Sequence, residues 1–463
     1  MYAIEDFSSD IADIPHSTDR MTVRTKSRDH YAISPLLREA LAGRTADIVV
    51  SPRSKAELVK LVRAAVHHRI PMTMRGGGTA NYGQSVPTRG GILLDMTALS
   101  GVLWVRGGHL RALAGTLTTE VDIAARLHGW ELRIHPSTRA TGTLAGFIAG
   151  GSGGMGSCMW GMLRDRGNIT GMEVISAEEE PRVIELRGRD VDLIHHAYGT
   201  NAIMTEVEMP VAPAFEWRET IVAFRDFMQA TKFGIQLGRE MGIIKKLISL
   251  QEWPVPRLML PLGTIVPEGH SMANCLIAQP SFEAFECIVE DFGGVIVSNC
   301  GEGKGSYGAP NYEFAYGHGL KQVQRSNSKY TGLQGLFGGD DVVGMVGRVH
   351  KRFAGAMPMR LEVFYSQGSI VAMGSPYILY ENDGQIAEVV DFMQAEGVQV
   401  ANNHANTVRD VGIKVIDHRD AAFKASMDPH GLLNPGKLDF DDDAAETTPH
   451  ALATQGWNFK KVG

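Results

Sequence analysis

The chain has 463 residues, enough for two or three domains around a large core. Apolar residues make up 44%, charged residues 21%, and the net charge is −7; this is ordinary globular usage and gives a nucleic-acid partner no electrostatic support. The sequence has no apolar run long enough for a spanning helix, no signal-like leader in the acidic first twenty residues, and no CxxC pair among Cys158, Cys275, Cys287 and Cys300, so reduced thiols, no structural zinc and a cytoplasmic setting are expected.

Residues 1–20 read as a loose tail. Patterning begins near residue 46, where "ADIVVSP" predicts a short strand ended by Pro52. "SKAELVKLVRAAVHHR" predicts a helix with a capping box, Ser54 at N-cap and Glu57 at N3. Leu58, Leu61, Val62, Ala65 and Val66 form its apolar face. A second strand, "IPMTMR", leads into the loop "RGGGTANYGQS". "GGILLDM" and "GVLWV" are strand-like, and "TTEVDIAARLHG" is helical with Gly129 after its end. A second glycine-rich region covers 136–161, followed by the strand-like "TGMEVISA" and "AIMTEVEMPV" and a boundary at "APAFEW". From about 214, strands alternate with helices such as "DFMQATKFGIQLGRE" and "SFEAFECIVEDFG". "RLEVFY" and "SIVAMG" read as paired strands, and "GQIAEVVDFMQAEG" as a helix with Ile386, Val389, Val390 and Met393 on one face. "MDPHGLLNPGKLDF" is a last definite signal before a polar tail.

Successive glycines expose backbone N–H groups with no Cβ in the way, a nest for phosphate or carboxylate oxygens. "GEGKGS" fails as a phosphate-binding P-loop, because Gly305 stands where a hydroxyl is needed. A dinucleotide fingerprint at 76–81 ends on Asn81 without a following helix. "GGSGG" at 150–154 matches a nucleophile elbow formally, with Ser152 as nucleophile and the apolar "FIA" as its strand, but "GGMGS" starts a helix poorly.

A further reading uses both loops for one elongated diphosphate cofactor. "SPRSKAELVKLVRAAVHHRIPMTMRGGGTANYG", "GTLAGFIAGGSGG", "YGTNAIMTE" and "NPGK" occur in the order found in the FAD-binding proteins of the vanillyl-alcohol oxidase / p-cresol methylhydroxylase type, which the chain resembles over about 46–213 and again near the end. The resemblance implies an α+β fold: a two-subdomain FAD-binding domain of the p-cresol methylhydroxylase (PCMH) type, 40–213, and an α+β cap of antiparallel sheet with helices, 214–424. It adds an N-terminal extension 1–39, a C-terminal segment 425–440 returning to the FAD domain, and a tail 441–463. By the same resemblance Gly76, Gly77, Gly78, Thr79 and Ala80 offer amides to the diphosphate, with Gly83, Gln84 and Ser85 closing the loop. Pro136, Ser137, Thr143, Leu144 and Gly146 line the isoalloxazine and diphosphate, and Ala149, Ser152 and Gly153 continue along the cofactor. Ile169 and Ile203 flank the adenosine, and Asn434 and Lys437 close over the flavin from the far end. Many relatives carry a flavin-linking histidine where Thr79 stands, so non-covalent FAD is expected.

The expected activity is FAD-dependent oxidation of an alcohol, hydroxy acid or related small molecule, aromatic ones included, by hydride transfer to the flavin. The rival classes are a hydrolase using Ser152 and a flavin-fold protein with non-redox activity. A general base is most often histidine, and two polar islands each hold one: His318 with Tyr316 and Arg325, and His404 with Asn403. The D-2-hydroxy-acid dehydrogenase branch carries H-x-G-D-G-N-x-H; that string is missing here and no metal is expected. The expected partners are a small-molecule substrate and an electron acceptor (oxygen, quinone or a protein), with pairing into a homodimer.

Overall fold

The structure, a computed structural model, describes residues 2–438 apart from 152, 261, 306 and 307. Its first sheet grows from short apolar runs. Ile48–Val50, Ile92–Asp95 and Met72–Arg75 lie in parallel, with Ile92–Asp95 between the other two. Parallel neighbours need a crossover, and helix Lys55–His67 supplies it. Leu58, Leu61, Val62, Ala65 and Val66 are all 0% exposed, the face that the spacing predicts. The capping box is half formed. Ser54 Oγ accepts from the Glu57 N–H, but the Glu57 carboxylate accepts from the Arg53 N–H and guanidinium instead of reaching the N-cap amide. The charged partner makes that the stronger bond.

The amino-terminal segment is not a loose tail. Ile4–Asp10 is helical, and Phe7, Ile11 and Ile14 are at most 1% exposed in the same core as Leu58. The many acidic and hydroxyl residues around them mask a sparse apolar stripe, in which Phe7 and Ile11 stand one turn apart.

The second sheet is antiparallel. Val102–Arg106, His109–Leu113, Ile203–Pro213, Gly171–Ile175 and Val183–Arg187 follow one another in space, and Trp130–Leu132 joins the end of Ile203–Pro213. The "FIA" segment is not a strand. It lies in helix Leu144–Gly150, whose N-cap Thr143 accepts from the Gly146 N–H at 3.2 Å. A nucleophile elbow requires a strand there, so the hydrolase reading loses its frame; Ser152 itself lies outside the described residues.

The third sheet has eight strands in the order Val295–Gly301, Trp217–Phe224, Ser271–Ala278, Lys245–Gln251, Met359–Ser366, Ser369–Pro376, Gln334–Phe337 and Gln399–Ala401, every pairing antiparallel. Helices Phe227–Arg239, Phe282–Asp291, Val342–Phe353 and Asp383–Ala395 pack into the core on one of its faces through Phe233, Phe285, Val346 and Val389. The other face buries polar side chains, among them Ser249, Asn274, Arg360 and Glu362. After this sheet the chain returns to the first one: the Met72 N–H donates to Leu432 O at 2.7 Å, and the Asn434 N–H to Met72 O at 2.8 Å. No described helix is long and apolar enough to cross a membrane.

Candidate functional site

The two glycine-rich loops meet. Strand Met72–Arg75 delivers the first loop against residues 141–143 of the second so closely that neither has room for a side chain. A Cβ on Gly76 would stand 2.0 Å from Thr143 Oγ1, and one on Gly77 would stand 1.7 Å from the Thr141 carbonyl oxygen. Glycine at these two places is therefore a packing requirement as well as a way to bare the backbone.

The seam opens into a cleft of about 1430 Å³, part of it open to solvent. Gly76, Gly77, Gly78, Thr79, Ala80, Gln84 and Ser85 line it from the first loop, and Pro136, Ser137, Thr143, Gly146, Ala149 and Gly153 from the second. Among the described residues, none of the N–H groups of residues 77–82 donates to a backbone or side-chain acceptor. Residues 77–81 are half-buried, and a run of unpaired amides in a loop that lines a cleft fits an anionic ligand such as a diphosphate. The donor set therefore fits FAD.

Other expected positions lie off the cleft surface. Leu144 and Ile203 are each 1% exposed in the first core, and Ile169 sits there too. Side chains alternate along a strand, so Ile203 points inward while its neighbours Ala202 and Met204 line the cleft. Gly83 packs on Leu41, where its Cβ would come within 2.2 Å of Cδ1. Asn434 and Lys437, expected to close over the flavin, are buried behind the first loop and do not line the cleft. Asn434 Nδ2 donates to Gln84 O at 2.8 Å and to Tyr198 O at 2.7 Å, bracing the loop from beneath. Lys437 is fully buried, its Nζ has no hydrogen-bond partner among the described residues, and burial lowers it to about 8. The charge that opposes this is Asp29, itself raised to about 6 by burial while it accepts from the Tyr31 and Ser85 N–H groups.

Of the catalytic candidates, Tyr316 lines the cleft. Its φ is +54°, in the left-handed region that costs a bulky residue energy. The surroundings hold it there: its N–H donates to Glu362 Oε1 at 2.7 Å, its hydroxyl to Gly154 O at 2.7 Å, and its ring stacks on Phe364. Burial pushes its phenol well above the ordinary range, so it stays protonated. His404 and Asn403 are buried behind the wall. His404 Nδ1 bonds the Ser34 hydroxyl at 2.8 Å, and burial lowers the ring to about 4. Asn403 Nδ2 reaches Gly332 O at 3.5 Å. His318 lies 2.8 Å from the Glu313 carboxylate, and Arg325, exposed, donates to Gln322; neither lines the cleft.

The cleft also recruits residues that the sequence did not single out. His196 and Tyr198, both at positive φ, line it; Tyr198 opens the "YGTNAIMTE" stretch and His196 stands two residues before it. Gln334 and Met373 enter from neighbouring strands of the eight-stranded sheet, with no local motif to announce them. Among the described residues, no group of three or more His, Cys, Asp or Glu side chains is gathered as metal ligands would be.

Comparison with known proteins agrees with this site. A model of the FAD binding domain family matches residues 46–184. The glycolate oxidase subunit GlcD of Bacillus subtilis is 28% identical over 193 residues, 40% of this chain and 41% of that protein. A D-lactate dehydrogenase of Archaeoglobus fulgidus is 28% identical over 206 residues, 42% and 45% of the two chains. The chain thus matches less than half the length of either relative. A solved alkyldihydroxyacetonephosphate synthase shares the fold, with a TM-score of 0.69 at 17% identity over 95% of this chain and 86% of that one. With its two loops, unpaired amides and matched stretch, the chain carries an FAD-binding domain of the p-cresol methylhydroxylase type, with FAD as its cofactor.

Proposed function

We propose that the protein is an FAD-dependent oxidoreductase that oxidises the CH–OH group of a small 2-hydroxy acid. The observation that carries this reading is the continuity of one cleft, from the glycine loops of the FAD-binding domain to Tyr316, Gln334 and Met373 of the region 214–424. A substrate at the second end meets a cofactor held at the first. The names of the two relatives, a glycolate oxidase subunit and a D-lactate dehydrogenase, favour a 2-hydroxy acid within the wider class of alcohols.

Bound FAD supplies a two-electron acceptor at its ring nitrogen. The chain does the rest. The amides of residues 77–82 hold the diphosphate, and Thr79, which has no ring nitrogen to offer, leaves the flavin non-covalent. Residues 40–213 with the returning segment 425–440 form the cofactor domain, and 214–424 form the substrate cap. Tyr316, kept protonated and anchored to both units, orients the substrate.

The test is anaerobic mixing of the holoprotein with glycolate and with D-lactate, watching the flavin band near about 450 nm. Bleaching on the time scale of turnover is expected with at least one of them. A flavin that stays oxidised with these and with simple alcohols overturns the reading.

A further inference from the structure

A second recess lies beside the first sheet and shares no lining residue with the cofactor cleft. It encloses about 1030 Å³, part of it open to solvent. Helix Arg20–Lys26 forms one wall, held in place by Val23, which shares a small core with Ala46, Val49 and Leu93. Arg20 and Arg24 stand one turn apart on that helix, and Arg28 follows its end. Arg44 joins from the segment that leads into strand Ile48–Val50. All four arginines are exposed, and all four line the recess.

This concentration of charge is unbalanced. The chain as a whole carries −7, and like charges one helical turn apart cost about 0.2–0.5 kcal/mol per pair. Among the described residues none of the four arginines forms a salt bridge, and the guanidinium groups of Arg20, Arg24 and Arg28 have no hydrogen-bond partner. Arg44 Nη1 donates to Thr88 O at 3.3 Å. Among the described residues Asp47 is the one acid that lines the recess, and it already accepts from the Gly91 N–H at 2.6 Å. Asp19 caps the helix, accepting from the Thr22 N–H at 2.8 Å. Lys26 shows the contrast: on the same helix, it reaches Asp95 at 2.7 Å. Tyr31 is a second, independent sign. It is only 8% exposed, in one core with Leu41, Tyr82 and Val86, yet it lines the recess. Its hydroxyl has no hydrogen-bond partner among the described residues, although polar groups of buried residues are nearly always paired. That hydroxyl is offered to whatever fills the recess.

We propose that this recess is a binding site for a ligand with at least two phosphate groups, separate from the site of FAD. A planar guanidinium fork donates two parallel hydrogen bonds to a pair of anionic oxygens. One carboxylate has one such pair and fills one fork. A diphosphate has several pairs and engages several forks at once, with the Tyr31 hydroxyl as a further donor. Its negative charge supplies what the four arginines lack in the protein. A soluble diphosphate and the phosphate headgroup of a lipid offer the same chemistry, and the two sources are told apart below. The proposal does not depend on the oxidoreductase reading, since binding here requires no turnover.

The test is calorimetric titration of the FAD-loaded holoprotein with inorganic pyrophosphate; bound FAD keeps the probe out of the cofactor cleft. Saturable binding at one site is expected, weakening as salt rises, with FAD retained. Arg24→Gln and Arg44→Gln are each expected to weaken pyrophosphate about tenfold, and Tyr31→Phe about two- to tenfold. Arg106→Gln, on the edge strand of the second sheet, is the control and is expected to bind like wild type. A second measurement needs no variant: pyrophosphate should protect Arg20, Arg24, Arg28 and Arg44 of the wild-type holoprotein from phenylglyoxal, read by peptide mass spectrometry. Sedimentation with phosphatidylcholine vesicles containing phosphatidic acid separates the sources. Protein that pellets and is released by pyrophosphate takes a lipid headgroup; protein that stays in solution while binding pyrophosphate takes a soluble diphosphate. No saturable binding, arginine variants that bind like the control, or four arginines that react equally with and without pyrophosphate overturn the proposal.

Discussion

Gly77→Ala adds one methyl group and no charge, so its effect isolates the packing between the two loops. The new Cβ would stand 1.7 Å from the Thr141 carbonyl oxygen and 2.8 Å from its carbon. These are backbone atoms, without a rotamer to relieve the clash. An ordinary contact needs about 3.4 Å or more, so the loops must separate by well over an ångström, along the seam from which the free amides emerge. Overpacking of this kind costs about 1–3 kcal/mol. If the cost falls on the bound geometry, FAD affinity drops roughly 5- to 150-fold at about 1.4 kcal/mol per decade. The assay is titration of apoprotein with FAD by quenching of flavin fluorescence, beside a thermal melt. Gly242→Ala is the control, since no atom lies within 4 Å of its added Cβ. A Gly77→Ala protein that binds FAD like wild type and melts at the same temperature would refute the interlocked-loop argument.

Two further outcomes follow from the same geometry. Acid precipitation of the yellow holoprotein should leave the flavin in the supernatant, because Thr79 cannot form the linkage; flavin retained in the pellet contradicts this. Glu362 rises from 4.5 to about 7 on folding, so its contribution to stability is full below about 4.5 and is lost as pH climbs through 7. Glu362→Gln lacks that loss, so the difference in melting temperature, variant minus wild type, should grow more positive from pH 5 to pH 8.

The parallel sheet, its crossover helix and the first glycine loop were legible because each is specified locally, by helical spacing, capping chemistry and consecutive glycines. The second loop was legible as a cofactor wall, but the helical state of "FIAG" was not, since a short apolar run reads equally as strand or helix. Ile203 fails by parity alone: the motif locates the strand, and only the register decides whether residue 203 or its neighbours meet the cleft. Gln334 and Met373 reach the cleft through pairing between strands Gln334–Phe337 and Ser369–Pro376, a non-local fact that no single stretch encodes. The helix around Phe7 was hidden for a different reason, because acidic residues outnumber the few apolar ones that make its contacts.

The brace supplied by Asn434 has a consequence for biosynthesis. The loop that grips the diphosphate is complete by residue 85, yet the side chain that ties Gln84 to Tyr198 arrives some 350 residues later. At a translation rate of about 5–20 residues per second, the nascent loop waits on the order of tens of seconds for its support. The loop therefore takes its braced form only after residue 434 has been made. A truncation or fusion tag placed near residue 434 would act as a cofactor-site mutation, despite its distance in sequence from every residue that touches the cleft.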